Sequence, residues 1–249
     1  MNEEHDSKLK SISESVAENY GVKLIHAEFS PFKELKAKWK RNGTAIELCI
    51  SDYLQWADEE VLTEFIHAVM RRIIYGRDSN LYGDALKKWI TTEEFAKRNR
   101  PIYLSRSKNL KLSPSGSVYN LEDIRDQLIS KGLIQDSSNA FITWTINGNR
   151  SRVGYCSLIM KVIAISSTLD SHAIPVTVPS YVLYHELLHL ELGKHNLTSG
   201  HDNEFRMLER KFPNWIEAKE LLKKLSKRNS GQAERSFRKD FRRVRDDES

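Results

Sequence analysis

The segment His185-Glu186-Leu187-Leu188-His189 places the residue types of a zinc centre at helical spacing. Two histidines four residues apart lie on one face of a helix, so both imidazoles can reach one ion. Neutral imidazole is a good zinc ligand, and Glu186 is placed to act as general base on a water molecule and later return the proton to a leaving amine. The motif predicts a zinc-dependent hydrolytic site. The alternative is an amphipathic helix with two structural histidines.

A third ligand must come from elsewhere, because a catalytic zinc site takes three protein ligands and leaves one position for water. Three downstream residues could supply it: His195, His201 and Glu204. His195 stands six residues after the motif, a spacing that some zinc proteases use, and Gly193 would let the chain turn back to the ion. His201 opens the next predicted helix, with Phe205 one turn later facing the core. We favour His201 and keep the other two as alternatives.

The elements around the motif form a readable series of one helix, three strands and three helices. Their predicted ranges are 121–131, 140–146, 152–156, 161–166, 181–192, 202–212 and 214–228. Asn147-Gly148 is a turn signal after the first strand. Ser180 is the expected N-cap of the metal-bearing helix, and Gly193 is its expected stop.

The first half of the chain repeats this order. Three features recur at offsets of 115, 118 and 117 residues, namely strand 46–51 with 161–166, His67 with His185, and Gly83-Asp84 with Gly200-His201. Near-constant offsets indicate a duplication. The alternative is chance, since a strand followed by a helix is a common order.

Composition and charge limit the class of protein to which the chain can belong. The chain has 249 residues with a net charge of +5, and its charges divide into +2 over 1–117, −2 over 118–222 and +5 over 223–249. Two cysteines, a polar N-terminus and no apolar run of membrane-spanning length predict a cytoplasmic protein with no membrane partner.

A Ser/Lys/Pro/Gly-rich stretch predicts a linker that divides the chain into domains. The predicted parts are a first domain over 1–103, the linker over 104–118, a second domain over 119–228 and a basic tail over 229–249. The tail is a candidate contact for nucleic acid, and so is the basic and aromatic segment Phe32–Arg41. Each can equally be a solvated surface.

Four residues near the motif carry further expectations. Cys156 lies in a predicted strand without a second cysteine of a Cys-x-x-Cys pair, which favours a structural thiol. Tyr155, Tyr181 and Tyr184 are candidate stabilisers of a tetrahedral oxyanion.

Residues 140–225 resemble the zincin metallopeptidases of the SprT-like and YgjP-like group. The resemblance rests on the strand segments Arg152–Ser157 and Val162–Ser166, the helix with HELLH, and a later His-x-x-x-Phe from His201 to Phe205 before a Pro-containing turn and a last helix. It implies an α+β zincin core, here in two tandem copies. It also implies a peptidase that acts on proteins or peptides, with DNA-bound proteins as one specific class.

Carried over to this chain, the resemblance assigns one Zn²⁺ per chain to His185, His189 and His201, with Glu186 as the catalytic base. The first copy is expected to be degenerate, because Ala68 and Arg71 stand at the places of the base and the second histidine. A guanidinium cannot coordinate zinc, and Asp84 replaces the third ligand. Two alternatives remain, namely a non-catalytic zinc-binding scaffold and a nucleic-acid-binding protein that uses the tail.

Overall fold

Two three-stranded sheets, each with helices packed on it, make up the α+β fold of this chain. The computed structural model describes residues 2–76, 81–135, 139–193 and 201–225. The chain divides into two units, Met1–Ser107 and Lys108–Ser249. The division falls inside the segment that the sequence predicts as a linker.

The first unit begins with a helix and ends with three. Its elements are α1 (Asn2–Glu18), β1 (Lys23–Ser30), β2 (Ala37–Asn42), β3 (Ala45–Ser51), a short 3-10 helix (Asp52–Leu54), α2 (Glu59–Tyr75), α3 (Asp84–Ile90) and α4 (Glu93–Ser105). The strand order is β1-β3-β2, with β1 parallel and β2 antiparallel to β3. Strand β2 is therefore an edge strand, and it holds the second half of the basic and aromatic segment 32–41.

The second unit follows the same order of elements. They are α5 (Leu121–Ser130), β4 (Phe141–Trp144), β5 (Gly154–Ser157), β6 (Val162–Ile165), a short 3-10 helix (Ser167–Leu169), α6 (Thr177–Gly193), α7 (Asn203–Glu209) and a last helix, α8, over 215–225. The strand order is β4-β6-β5, again with the first strand parallel and the second antiparallel to the third. Both units thus have one sheet topology, and the helix after each sheet is 17 residues long.

Helix α6 lies at the centre of the core of the second unit. It is apolar on almost every side, as expected of a helix covered all round. Strands β5 and β6 and helices α5 and α7 pack against it. The prediction that Ser180 is the N-cap of this helix is wrong, because the helix begins at Thr177. The Ser180 N–H already donates to the Val176 carbonyl at 3.0 Å. Pro179 is accommodated because the first turn of a helix needs no intrahelical N–H donors.

The second part of the predicted linker is bonded into the second unit. Leu110 pairs with Thr145 in an isolated bridge beyond β4. Asp170 accepts hydrogen bonds from three successive backbone N–H groups, those of Ser117, Val118 and Tyr119. Burial alone would raise the pKa of Asp170, but these donors outweigh it and lower the pKa. The carboxylate therefore ties segment 108–120 to the rest of the unit.

In the described part of the chain, no helix is both long and apolar enough to cross a bilayer. The basic tail 229–249 lies outside the described residues, as does His195.

Candidate metal centre

Three histidine side chains meet at one end of α6. The Nε2 atoms of His185, His189 and His201 form a triangle with all three edges at 3.2 Å. His185 and His189 lie on consecutive turns of α6. His201 directly precedes Asp202, the N-cap of α7. The structure therefore brings together the three residues that the sequence favoured as metal ligands.

The spacing of these atoms fits a tetrahedral zinc ion. Two nitrogen ligands at about 2.0–2.1 Å from such an ion stand about 3.3 Å apart. Three ring nitrogens held at 3.2 Å from one another cannot all be satisfied by hydrogen bonds among themselves, because each such bond uses one lone pair and one proton. One cation satisfies the three lone pairs at once, so the donor set fits a metal ion.

Among the described residues, the other candidate ligand, Glu204, does not join this triangle. Glu204 is exposed in the first turn of α7 and is not part of the group that could hold a metal among the described residues. His201 precedes the first turn of α7 instead of lying on it, which corrects the sequence prediction.

A buried carboxylate orients the first histidine. Glu209 Oε1 lies 2.9 Å from His185 Nδ1, and the Glu209 side chain is 8% exposed. The same carboxylate accepts a hydrogen bond from the Tyr181 hydroxyl at 2.6 Å and pairs with Lys219 Nζ at 2.7 Å. Burial would raise the pKa of Glu209, but Lys219, Tyr181 and His185 together lower it to about 2.

This ionised carboxylate fixes the tautomer of the histidine. Since Glu209 can only accept, Nδ1 of His185 carries the proton and Nε2 presents its lone pair to the triangle. Burial lowers the pKa of His185, which also favours the neutral ring that a metal requires. Burial and the two neighbouring imidazoles lower the pKa of His189 to about 4. Both histidines of α6 are therefore neutral near pH 7, the form in which an imidazole binds a metal.

Phe205 forms the floor of the triangle. Its side chain is 1% exposed, and its ring centroid lies 5.0 Å from that of His185 and 4.6 Å from those of His189 and His201. The prediction that Phe205 faces inward is confirmed. An apolar ring on this side holds the three imidazoles together and closes that approach to water.

Glu186 follows His185 on α6 and is almost fully enclosed. Glu186 is 8% exposed. Burial raises its pKa to about 7, although the positive charge of Arg152 acts to lower it. Strand β5 leaves room for this carboxylate only because residue 154 is glycine. A Cβ at Gly154 would stand 2.6 Å from Glu186 Oε1 and 2.8 Å from Val182 Cγ1.

A cleft of about 730 Å³ opens beside the triangle. Its base includes His185, Glu186 and His201, and its walls come from the start of β5 and from α7 and α8. The volume lies within the usual range for ligand sites, about 300–1,000 Å³. The cleft therefore leaves His185, His201 and Glu186 accessible to a bound molecule.

The structure corrects two of the three candidate oxyanion stabilisers. The Tyr181 hydroxyl donates to Glu209, and the Tyr184 hydroxyl donates to the Leu208 carbonyl at 2.6 Å. Both tyrosines therefore link α6 to α7 and serve to position the site. Burial raises the pKa of Tyr184 to about 12 and raises the pKa of the Cys156 thiol, which agrees with a structural cysteine.

The sequence did not identify Glu209 as part of the site. It stands 24 residues after His185 on another helix, with no motif that links the two. The sequence could have revealed Glu209 only through its predicted burial, because an acidic residue on the core side of a helix needs a partner. Lys219 and Tyr181 supply that partner only after the helices pack.

Comparison of the chain with models of protein families, with curated proteins and with solved structures finds no match. The function is therefore argued from the geometry of the site.

Proposed function

We propose that this chain is a zinc-dependent peptidase whose catalytic centre lies in the second unit. The observation that carries the proposal is the 3.2 Å triangle of Nε2 atoms from His185, His189 and His201. It lies in an open cleft beside the buried carboxylate of Glu186. Structural zinc sites are closed by four protein ligands, whereas catalytic sites have three and an open side. Among the described residues the group has three members, which supports the catalytic kind.

Zinc bound there would supply Lewis-acid activation of the scissile carbonyl and of the attacking water. Glu186 accepts a proton from that water on a carboxylate oxygen. It returns the proton to the leaving amine nitrogen as the amide bond breaks. One water is consumed, and one carboxyl group and one amine are formed. Glu209 holds the Nδ1–H of His185 throughout, so the ring keeps its orientation.

We also propose that both units are zincin-like copies, of which the first has lost its chemistry. The shared strand order and pairing directions support this relation. At an offset of 118 residues, Ala68 stands for Glu186 and Arg71 stands for His189. The first unit would then keep the fold without a base or a second ligand.

The proposed substrate is a protein or peptide in the cytoplasm. DNA-bound proteins and a nucleic-acid contact through 229–249 stay predictions, since no described residue bears on them.

Metal content tests the ligand set. The purified wild type should hold one zinc per chain by mass spectrometry. His185→Ala and His201→Ala should lose it, while His195→Ala and the exposed control His172→Ala should keep it. Full, tightly bound zinc in His201→Ala would overturn the assignment.

Cleavage of unfolded protein and of a mixed peptide library tests the activity. Zinc-loaded wild type should cleave, and Glu186→Gln should keep its zinc but lose about 10²–10⁴-fold in rate. A wild type that holds zinc and cleaves nothing would refute the peptidase and favour the non-catalytic scaffold.

A further inference from the structure

The cleft beside the histidines has a basic wall. Five cationic side chains line it, namely Arg152, Arg206, Arg210, Lys219 and Lys223. The two carboxylates that line it are both committed. Glu209 is bound to Lys219 and His185. Glu186 lies buried at the base.

This basic wall is not a consequence of overall composition. Residues 118–222 contain 10 basic and 12 acidic side chains, so this part of the sequence is acidic overall. Four of those 10 basic residues line the cleft, against two of the 12 acidic ones. Since a concave, poorly solvated surface focuses the field of its charges, the cleft attracts anionic groups.

Several of the cations are held in place by aromatic rings. Arg210 Cζ lies 5.9 Å and Lys219 Nζ lies 5.1 Å from the centroid of the Trp215 ring. Arg152 Cζ lies 5.1 Å from the centroid of the Tyr155 ring on the side of β5. A stacked guanidinium still has N–H donors at its edge, and their planar fork matches a carboxylate.

We infer that the cleft binds a peptide segment with acidic side chains on both sides of the bond to be cut. Arg152, two residues before β5, holds one side, and Arg206 in α7 and Arg210, the C-cap of α7, hold the other. The inference rests on the proposed peptidase function and names the substrate class of that site. A peptide is favoured over a nucleic acid because the cations line the same cleft of about 730 Å³ as His185, His201 and Glu186. That volume holds a short extended segment.

Binding to zinc-loaded Glu186→Gln tests the inference apart from cleavage. The probes are two peptides with an uncharged fluorophore, identical except that Asp and Glu in one are Asn and Gln in the other. Fluorescence anisotropy should give about tenfold tighter binding of the acidic peptide, from roughly threefold for each exposed ion pair formed. This preference should shrink as salt rises from about 0.05 to 0.5 M, because the charges are screened.

A pair of double variants locates the preference. Arg206→Gln with Arg210→Gln should reduce it from about tenfold to about threefold, the part that Arg152 holds. The matched control, Lys211→Gln with Lys224→Gln, removes the same charge from exposed positions of the same region that do not line the cleft. The control should keep the preference, and circular dichroism should show both variants folded.

Equal binding of the acidic and amide peptides would overturn the inference, and so would equal loss in both double variants. Tighter binding of a single-stranded DNA oligonucleotide, with no preference for the acidic peptide, would assign the cleft to nucleic acid. An acidic peptide that binds but is not cut by zinc-loaded wild type would refute the peptidase alone. Cleavage that is indifferent to acidic residues would refute the preference alone.

Discussion

The two units use one arrangement of strands and helices for different local chemistry. In each unit the second strand lies antiparallel to the third, and Ala37 pairs with Ile50 as Gly154 pairs with Ile165. Those isoleucines are 115 residues apart. At the corresponding place on the long helix, the first unit has Ala68 and the second has Glu186. The first unit thus has Ala37 at this register position, and in the second unit the smallest residue, Gly154, makes room for a carboxylate.

The first histidine of each long helix also has a different partner. His67 Nδ1 lies 3.1 Å from the Tyr20 hydroxyl, whereas His185 Nδ1 lies 2.9 Å from the Glu209 carboxylate. Tyr20 can donate or accept, so it leaves the tautomer of His67 open. Glu209 only accepts, so it sets the tautomer of His185. The comparison shows that a carboxylate partner and two further imidazoles, in addition to the shared fold, make the second unit fit for a metal.

The largest difference between the units should be in metal binding. We expect His185→Ala to remove the zinc from the full chain, because it deletes one vertex of the ligand triangle. His67→Ala should leave zinc content unchanged, because Arg71 cannot coordinate a metal. Metal analysis of the two dialysed variants checks this. Zinc lost equally in both would break the distinction between the units.

Next in size should be the effect of the orienting carboxylate. Glu209→Gln should weaken zinc binding about 10–100-fold, as expected for loss of a partner behind a metal ligand. The control is Glu64→Gln in the first unit, where the carboxylate accepts from the N–H groups of Ala85 and Leu86. That change should destabilise the first unit and leave zinc affinity as it is. Competition with a chelator measures both affinities, and an unchanged affinity in Glu209→Gln would contradict the role of Glu209.

A smaller effect should come from the space that strand β5 leaves. Gly154→Ala should cost about 1–3 kcal/mol, because its Cβ would clash with Glu186 and Val182. In the Glu186→Ala background the same change should cost less, because the clash with Glu186 is gone and only the clash with Val182 remains. Denaturant unfolding of wild type, the two single variants and the double variant measures the coupling energy between positions 154 and 186. Equal costs in both backgrounds would show that Glu186 is not what the glycine accommodates.

The smallest effect should be the acid sensitivity of the second unit. The pKa of Asp170 is lowered in the folded state, so its ionised form stabilises the fold above its unfolded pKa of about 3.9. This stabilisation is lost as pH falls through the lower, folded value. The free energy of unfolding should therefore drop more steeply below about pH 4 in wild type than in Asp170→Asn. The exposed control Asp126→Asn should follow wild type, and identical profiles for all three would refute the role of Asp170.

Much of the element order was accessible from sequence, because local signals mark it. Helix α5 begins after its N-cap Asn120 and ends before Gly132, which has a φ of 65°, close to the predicted range 121–131. The start of α6 was misplaced, because Pro179 and Ser180 resemble a helix start although Pro also fits the first turn. The insertion of β6 between β4 and β5 was not accessible, because the Asn147-Gly148 turn carries no information on non-local pairing.

By itself, the sequence determined the spacing of His185, Glu186 and His189 on one helix, since helical periodicity depends only on local backbone geometry. It also determined that Ala68 and Arg71 occupy the positions 118 residues before Glu186 and His189. Tertiary structure alone decided that His201, and not Glu204, meets the other two histidines among the described residues. It likewise decided that Glu209 contacts Nδ1 of His185. It also decided that basic residues line the cleft although residues 118–222 are acidic overall. These relations depend on how α6, α7 and α8 pack, and packing brings together residues whose separation along the chain carries no periodic signal.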